Sequence, residues 1–340
     1  MEEYKLICKI KQDTYINHFQ AEQEGACFRG SEFKPKFDKF IKQQMMSQGD
    51  EVPKTWLLNE HKDALNYKVR IETENEKERN GKLIIEKKEI LLTILCFIPE
   101  LLEEIEKRIE AFFLLHNFGK NQRKGYGGYH LISIKKGDGK EEKLDIGEDR
   151  IREILKDYTE AYIAASTYTI EELNNFYKDM KNVYLVPYMT RTFSLKSEEE
   201  GVYEYLYGKR KDEIGACYYI KGILGVHNCI KISKEKLNKE YRGKNKISLK
   251  LWSKDVKRFA SPVLLKIVEG HAFILFDTNY KIILGKTFFI QDGKKYKLKI
   301  KTPKKFDMIK FFDKVVKEKR NDDNQIELVR GRKNYGKAKK

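Results

Sequence analysis

The sequence predicts an α+β fold, and three observations predict it. A chain of 340 residues is too long for one small domain, so two modules are expected. Across residues 1–136 the apolar pattern runs as strand, helix, strand, strand, helix, strand, with period two and helical spacing alternating in that order. A weaker echo of the same order runs through 150–330. The arrangement implied is two ferredoxin-like, RRM-like (βαββαβ) modules with insertions. Residues 137–149, polar and glycine-containing, link them, and 331–340 form a basic, disordered tail.

Taken in order, residues 4–10 (YKLICKI) alternate as a half-buried strand. A polar connection, 12–27, carries His18 and Phe19. A helix then begins at Ser31 and Glu32, with Ser31 as N-cap. Phe33, Phe37, Phe40 and Ile41 form one apolar stripe on it. Pro35 falls in its first turn, where a missing N–H is tolerated. Residues 47–63, broken by Gly49 and Pro53, read as an irregular insertion. Strands follow at 65–73 and 88–97. Pro99 opens a second helix, with Glu100, Glu103 and Glu104 favourably placed in its first turns. Its stripe runs from Leu101 to Phe113 before Asn117 and Gly119 end it. A last strand covers 129–134.

The second module is less regular. Helices are expected at 148–163 and 170–180 and a strand at 183–189. A hairpin of 263–268 and 272–276 turns through Glu269–Gly270. A basic strand at 296–302, a helix at 304–319 and a short strand at 325–329 complete it.

Between the second helix and the fourth strand lies Phe118 to Tyr129, FGKNQRKGYGGY, with Gly119, Gly125, Gly127 and Gly128 threaded among Lys120, Arg123 and Lys124. Such a stretch offers no aliphatic side chain for a core. It does let backbone N–H groups approach a bulky anion, and its cations favour phosphate. The alternative is a helix stop followed by a flexible surface turn. No Lys-Ser/Thr pair follows Gly125, so this is not a Walker A loop. It leads from helix to strand, the reverse of the dinucleotide fingerprint. Both failures favour a polymeric backbone over a nucleotide.

Composition points the same way. Lys and Arg number 69 against 52 Asp and Glu, a net charge of +17. That surplus suits a polyanion, nucleic acid before membrane. The 20 Tyr and 19 Phe suit base stacking as well as aromatic cores. Five scattered cysteines form no C-x-x-C pair, so neither a disulfide framework nor a zinc site is signalled. No apolar run has spanning length, and a cytoplasmic protein is expected. Neither a cofactor nor a metal is expected.

Phe118-Gly119, then Asn121-Gln122-Arg123-Lys124, then Gly125-Tyr126-Gly127 form a pattern of apolar residue, Gly, basic residues and Gly-aromatic-Gly. After the second helix of a ferredoxin-like unit, this resembles the RAMP superfamily of CRISPR effector subunits. Phe28 to Pro35 (FRGSEFKP) is similar to that family's basic approach to the first helix. Arg258 to Leu264 (RFASPVL) is similar to its approach to a late strand. The likeness is greatest to the two-module subunit that caps the 3′ end of guide RNA in type III-B effector complexes. What the resemblance implies is a non-catalytic RNA-binding subunit, with guide RNA, its target and other effector subunits as partners, and no membrane. The implied RNA-binding residues are Gly119, Lys120, Arg123, Lys124, Gly125, Tyr126, Gly127 and Tyr129. Arg29, Lys34, Arg191 and Arg258 are the outlying candidates.

The alternative is a metal-independent endoribonuclease processing CRISPR RNA precursors, for which His18 is the candidate base. A histidine with no identifiable partner is more often structural. Asp13 and Asp38 are candidate metal-binding acids by the same resemblance, but Asp38, among lysines on a helix, reads more simply as a charge partner. His227 and Cys229 read as packing. Seven lysines within 294–305 form either a solvated strand face or a phosphate track.

Overall fold

The computed structural model describes residues 2–17, 28–59, 62–74, 76–166, 168–206, 214–227, 229–233, 246–257, 259–292, 295–319 and 326–332. It is a mixed α+β protein with several antiparallel sheets. The chain divides into two compact units, Met1–Asn174 with Leu264–Leu275 and Gln325–Lys340, and Asn175–Val263 with Phe276–Asn324. No helix among the described residues is long and apolar enough to cross a membrane.

The first unit begins with β1 (Lys5–Gln12), α1 (Gly30–Gln48), β2 (Lys68–Thr73), β3 (Ile90–Leu95), α2 (Pro99–Leu115) and β4 (Tyr129–Lys136). In the sheet these strands lie in the order β4-β1-β3-β2. All three pairings are antiparallel. The alternation that marks β1 as a strand also buries Leu6, Cys8 and Ile10 completely. Pro99 opens α2, where its absent N–H has no partner to lose. Phe33 and Phe37 of α1 meet Phe112 and Phe113 of α2 with ring centroids 4.7–5.8 Å apart. Tilted and edge-on contacts dominate this cluster, as aromatic quadrupoles favour.

The same unit continues with α3 (Glu148–Tyr158), β5 (Ala161–Ser166), β6 (Val263–Val268), β7 (His271–Phe276) and β8 (Ile326–Arg330). These strands lie in the order β6-β7-β5-β8. Read from the other edge it is β8-β5-β7-β6, the permutation already seen in β4-β1-β3-β2. Among the described residues, several helices and four strands separate β5 from β6 in sequence, and a 3-10 turn, two strands and one α-helix separate β7 from β8. Tyr162, Ala164, Leu264, Val268 and Phe273 share one core with Leu6, Phe33 and Phe112.

The second unit is built around a six-stranded sheet. Its order is Lys196–Ser197, Cys217–Tyr218, Lys295–Lys301, Thr287–Asp292, Lys246–Trp252 and Cys229–Ser233. Tyr219, Phe288, Ile290, Leu298 and Ile300 form its core. The alternation expected of the lysine-rich strand holds, since Leu298 and Ile300 are buried while Lys299 and Lys301 are exposed.

Several elements differ from the sequence expectation. Helix α1 starts at Gly30 with Arg29 at the cap, so Ser31 is inside the helix and does not cap it. Leu57–Asn59 pairs antiparallel with Lys62–Leu65, and Lys77–Asn80 pairs with Leu83–Glu86. The helix expected to reach 163 stops at Tyr158, where the Thr159 hydroxyl and amide both donate to the Leu155 carbonyl. Residues 161–166 are strand β5 instead. The strand expected at 183–189 is helical. There the Leu185 N–H donates to the Met180 carbonyl, an i→i+5 bond, so a π-turn leads into Leu185–Phe193. The altered register seats Pro187 near the start of the following α-segment, which a β-rich composition does not reveal.

Candidate nucleic-acid interface

Helix α2 ends at Leu115, and the chain from there to β4 is pinned along its length. Asn117 and Gly128 form an antiparallel bridge, and so do Asn17 and Lys120. The N–H of Gly119 donates to Glu32 Oε1 at 2.8 Å. That of Lys120 donates to the Asn17 carbonyl at 2.6 Å, and that of Gly127 to the Tyr15 carbonyl at 2.9 Å. The Gly125 N–H turns back to Gln122, while the Gly128 N–H reaches Thr14 Oγ1 at 2.8 Å. The Thr14 hydroxyl in turn donates to the Gly125 carbonyl at 2.7 Å. Gly127 has φ +69°, and a methyl group there would collide with the Phe118 carbonyl, whose carbon lies 2.9 Å from that position.

These bonds revise one expectation. The amides of Gly119, Lys120, Gly125, Gly127 and Gly128 are spent inside the protein and do not face an anion. The glycines let the loop fold tightly against residues 14–17 and α1. Tyr129 is also removed from the list of stacking residues. It is fully buried, with its ring 5.0 Å from Phe28 and 5.7 Å from Phe118.

What the loop presents outward is side chains. Lys120, Asn121 and Lys124 are exposed, and Arg123 and Tyr126 are half-buried. Neither Lys120 nor Lys124 has an ion-pair partner among the described residues. Arg123 and Arg29 are each already engaged within the chain. The start of α1 is brought against the loop, because Lys36 Nζ donates to Glu32 Oε1, Gln122 Oε1 and the Asn117 carbonyl and lies 4.7 Å from the Phe118 ring centre.

Lys34 is placed differently. Its ammonium binds Asp38 Oδ2 and the Leu65 carbonyl, both at 2.8 Å, and sits 4.1 Å from the Tyr67 ring centre. It serves the core boundary of α1. Arg191 is exposed on the helix Leu185–Phe193 of the second unit. Arg258, His18 and Cys27 lie outside the described residues.

The sequence reading did not single out Lys266. It is 1% exposed, on strand β6. Its ammonium donates to the carbonyls of Phe113, His116 and Tyr129 and to Asn117 Oδ1, at 2.7–3.2 Å. It therefore satisfies carbonyls that the end of α2 leaves open and holds the first residues of the loop. The available signal is a lysine in the middle of the apolar run VLLKIV, a position where a charge needs a built partner set.

Comparison with known proteins agrees on the family. The model of the Cmr1 N-terminal domain matches residues 3–82 and 73–185. That of the Cmr1 C-terminal domain matches 178–335. A crystal structure of Cmr1 from Pyrococcus furiosus in its apo form is 11% identical, covers 96% of this chain and 99% of that one, and gives a TM-score of 0.43. No curated protein sequence matches. Two domain models that between them span nearly the whole chain decide the matter: it belongs to the Cmr1 family, RAMP subunits of type III-B CRISPR effector complexes.

Proposed function

We infer that this chain is a non-catalytic, cytoplasmic RNA-binding subunit that grips guide RNA, or its duplex with target, by the phosphate backbone. Two ferredoxin-like modules carry it, one formed by β1 to β4 and the other by β5 to β8 with the second unit's sheet inserted. The observation that carries the reading is the pairing of a rigid loop with free cations. Lys120 and Lys124 project from a segment held by backbone hydrogen bonds along its length, and they have no acidic partner among the described residues. Fixed cations neutralise phosphates without first breaking an ion pair, and they do so without regard to base sequence. Guide–target pairing then supplies the sequence specificity. Tyr126, half-buried beside them, offers a face to an unpaired base.

The test is a salt titration of binding to labelled single-stranded RNA, comparing the wild type with Lys120→Ala/Lys124→Ala. Each neutralised phosphate contributes about 0.7 to the slope of log K against log salt for single strands, so the double variant should lose about 1.4. An unchanged slope overturns the proposal.

A further inference from the structure

A second group of side chains gathers in the first unit at the base of this loop, where the Asp13 N–H donates to the Gly128 carbonyl at 2.9 Å. Asp13 follows β1, His130 is on β4, and Glu269 is in the β6–β7 turn. His130 is 1% exposed. Its Nδ1 lies 2.8 and 2.9 Å from the two Asp13 carboxylate oxygens, so Nδ1 carries the proton and donates it. That tautomer leaves Nε2 with a lone pair, and Nε2 makes no hydrogen bond among the described residues. It faces Glu269 Oε1 at 3.3 Å.

Two lone-pair atoms facing each other at that distance, one on a buried ring and the other on a carboxylate at the surface, repel unless a proton or a metal ion stands between them. We propose that His130 Nε2 and the Glu269 carboxylate form a site for a divalent transition ion of the zinc type, with Asp13 orienting the imidazole from behind. Ligands of this kind sit about 2.1 Å from such an ion, and a 3.3 Å separation then subtends about 104° at the metal, near the tetrahedral angle. A carboxylate behind a metal-binding histidine is the arrangement that sets its tautomer and raises its basicity. Imidazole with carboxylate selects zinc-like ions over calcium or magnesium.

The surroundings are built for it. Glu269 has φ +46°, a strained value for a residue with a side chain, and its own N–H donates to Asp13 Oδ1 at 3.1 Å. His130 and Glu269 both line a 560 Å³ cavity, which gives an ion access and water for its remaining positions. Lys11 Nζ lies 2.7 Å from the same Glu269 oxygen. That contact fixes the carboxylate at the mouth of the cavity, beside the His130 ring. The ammonium also competes with any second cation for that oxygen.

The experiment uses the full chain, stripped with a chelator and titrated with Co²⁺ as a visible probe, then with Zn²⁺ as competitor. Expected is saturable binding of a single Co²⁺ with d–d absorption, displaced by Zn²⁺. Glu269→Gln, at an exposed turn, should weaken binding by about tenfold or more, as should Asp13→Asn through the imidazole. Lys11→Met should strengthen it, a change that a merely structural ion-pair cluster would not produce. Circular dichroism confirms the fold of each variant. If the wild type shows no saturable Co²⁺ binding, because His130 holds a second proton instead, the proposal is overturned. It is equally overturned if Glu269→Gln and Lys11→Met titrate like the wild type.

Discussion

Gly127→Ala separates the two uses to which a glycine-rich loop can be put. An L-residue at the left-handed φ of +69° costs about 1–2 kcal/mol by itself. The added methyl group also meets the Phe118 carbonyl, so the backbone must move. Movement there disturbs the bond from the Gly127 N–H to the Tyr15 carbonyl and that from the Phe118 N–H to the Gly127 carbonyl, both 2.9 Å. At about 1 kcal/mol each, the total comes to roughly 3–4 kcal/mol. Gly81→Ala is the internal control. Its φ is +60°, but open space surrounds the position, so only the conformational cost of about 1–2 kcal/mol applies. A thermal melt followed by circular dichroism should place Gly127→Ala at least about 6 °C below the wild type and Gly81→Ala within about half that. If the two variants melt together, the loop has slack and its amides are not committed. The expectation that they cradle phosphate would then return.

Further outcomes follow from the same geometry. Lys266→Met leaves three carbonyls and the Asn117 amide oxygen without their shared donor and should cost about 2–4 kcal/mol in urea unfolding. Burial pushes the Lys266 ammonium down to about 8 from its ordinary 10.5. Between those values the unfolded chain binds more protons, so stability should rise with pH across that window in the wild type and lose that rise in Lys266→Met. Lys34→Ala leaves the Asp38 carboxylate, whose side chain is 7% exposed, with less support. It should cost about 2 kcal/mol of stability without changing RNA affinity. Tyr126→Ala should weaken single-strand binding by about 1–3 kcal/mol in fluorescence anisotropy, whereas Tyr126→Phe should retain it.

Most of β1 to β4 and both of the helices among them were legible because their apolar periods are clean, as at Leu6, Cys8 and Ile10 or along Phe33, Phe37 and Phe40. The π-turn before Leu185 was not, because VYLVPYM has strand propensity and its helical state is set by tertiary packing around Leu185, Tyr188 and Met189. At the loop, residue types marked the place and mistook the part. Glycine spacing shows that backbone comes close to something, and here the neighbours are Thr14, Tyr15 and Asn17 of the same chain. The partners of Lys266 and Glu269 lie more than a hundred residues away in sequence, so no local pattern announces them.

That separation has a consequence for how the protein is made. The hairpin of β6 and β7 and the closing strand β8 belong to the unit that the N-terminus begins. A nascent chain that has only just completed α2 has no ammonium to quench the carbonyls at that helix's end and no outer partners for β5. The ribosome must deliver nearly the entire polypeptide before the earliest-translated half can close. Truncations that stop short of β6 should therefore yield aggregation-prone fragments, not a smaller working protein.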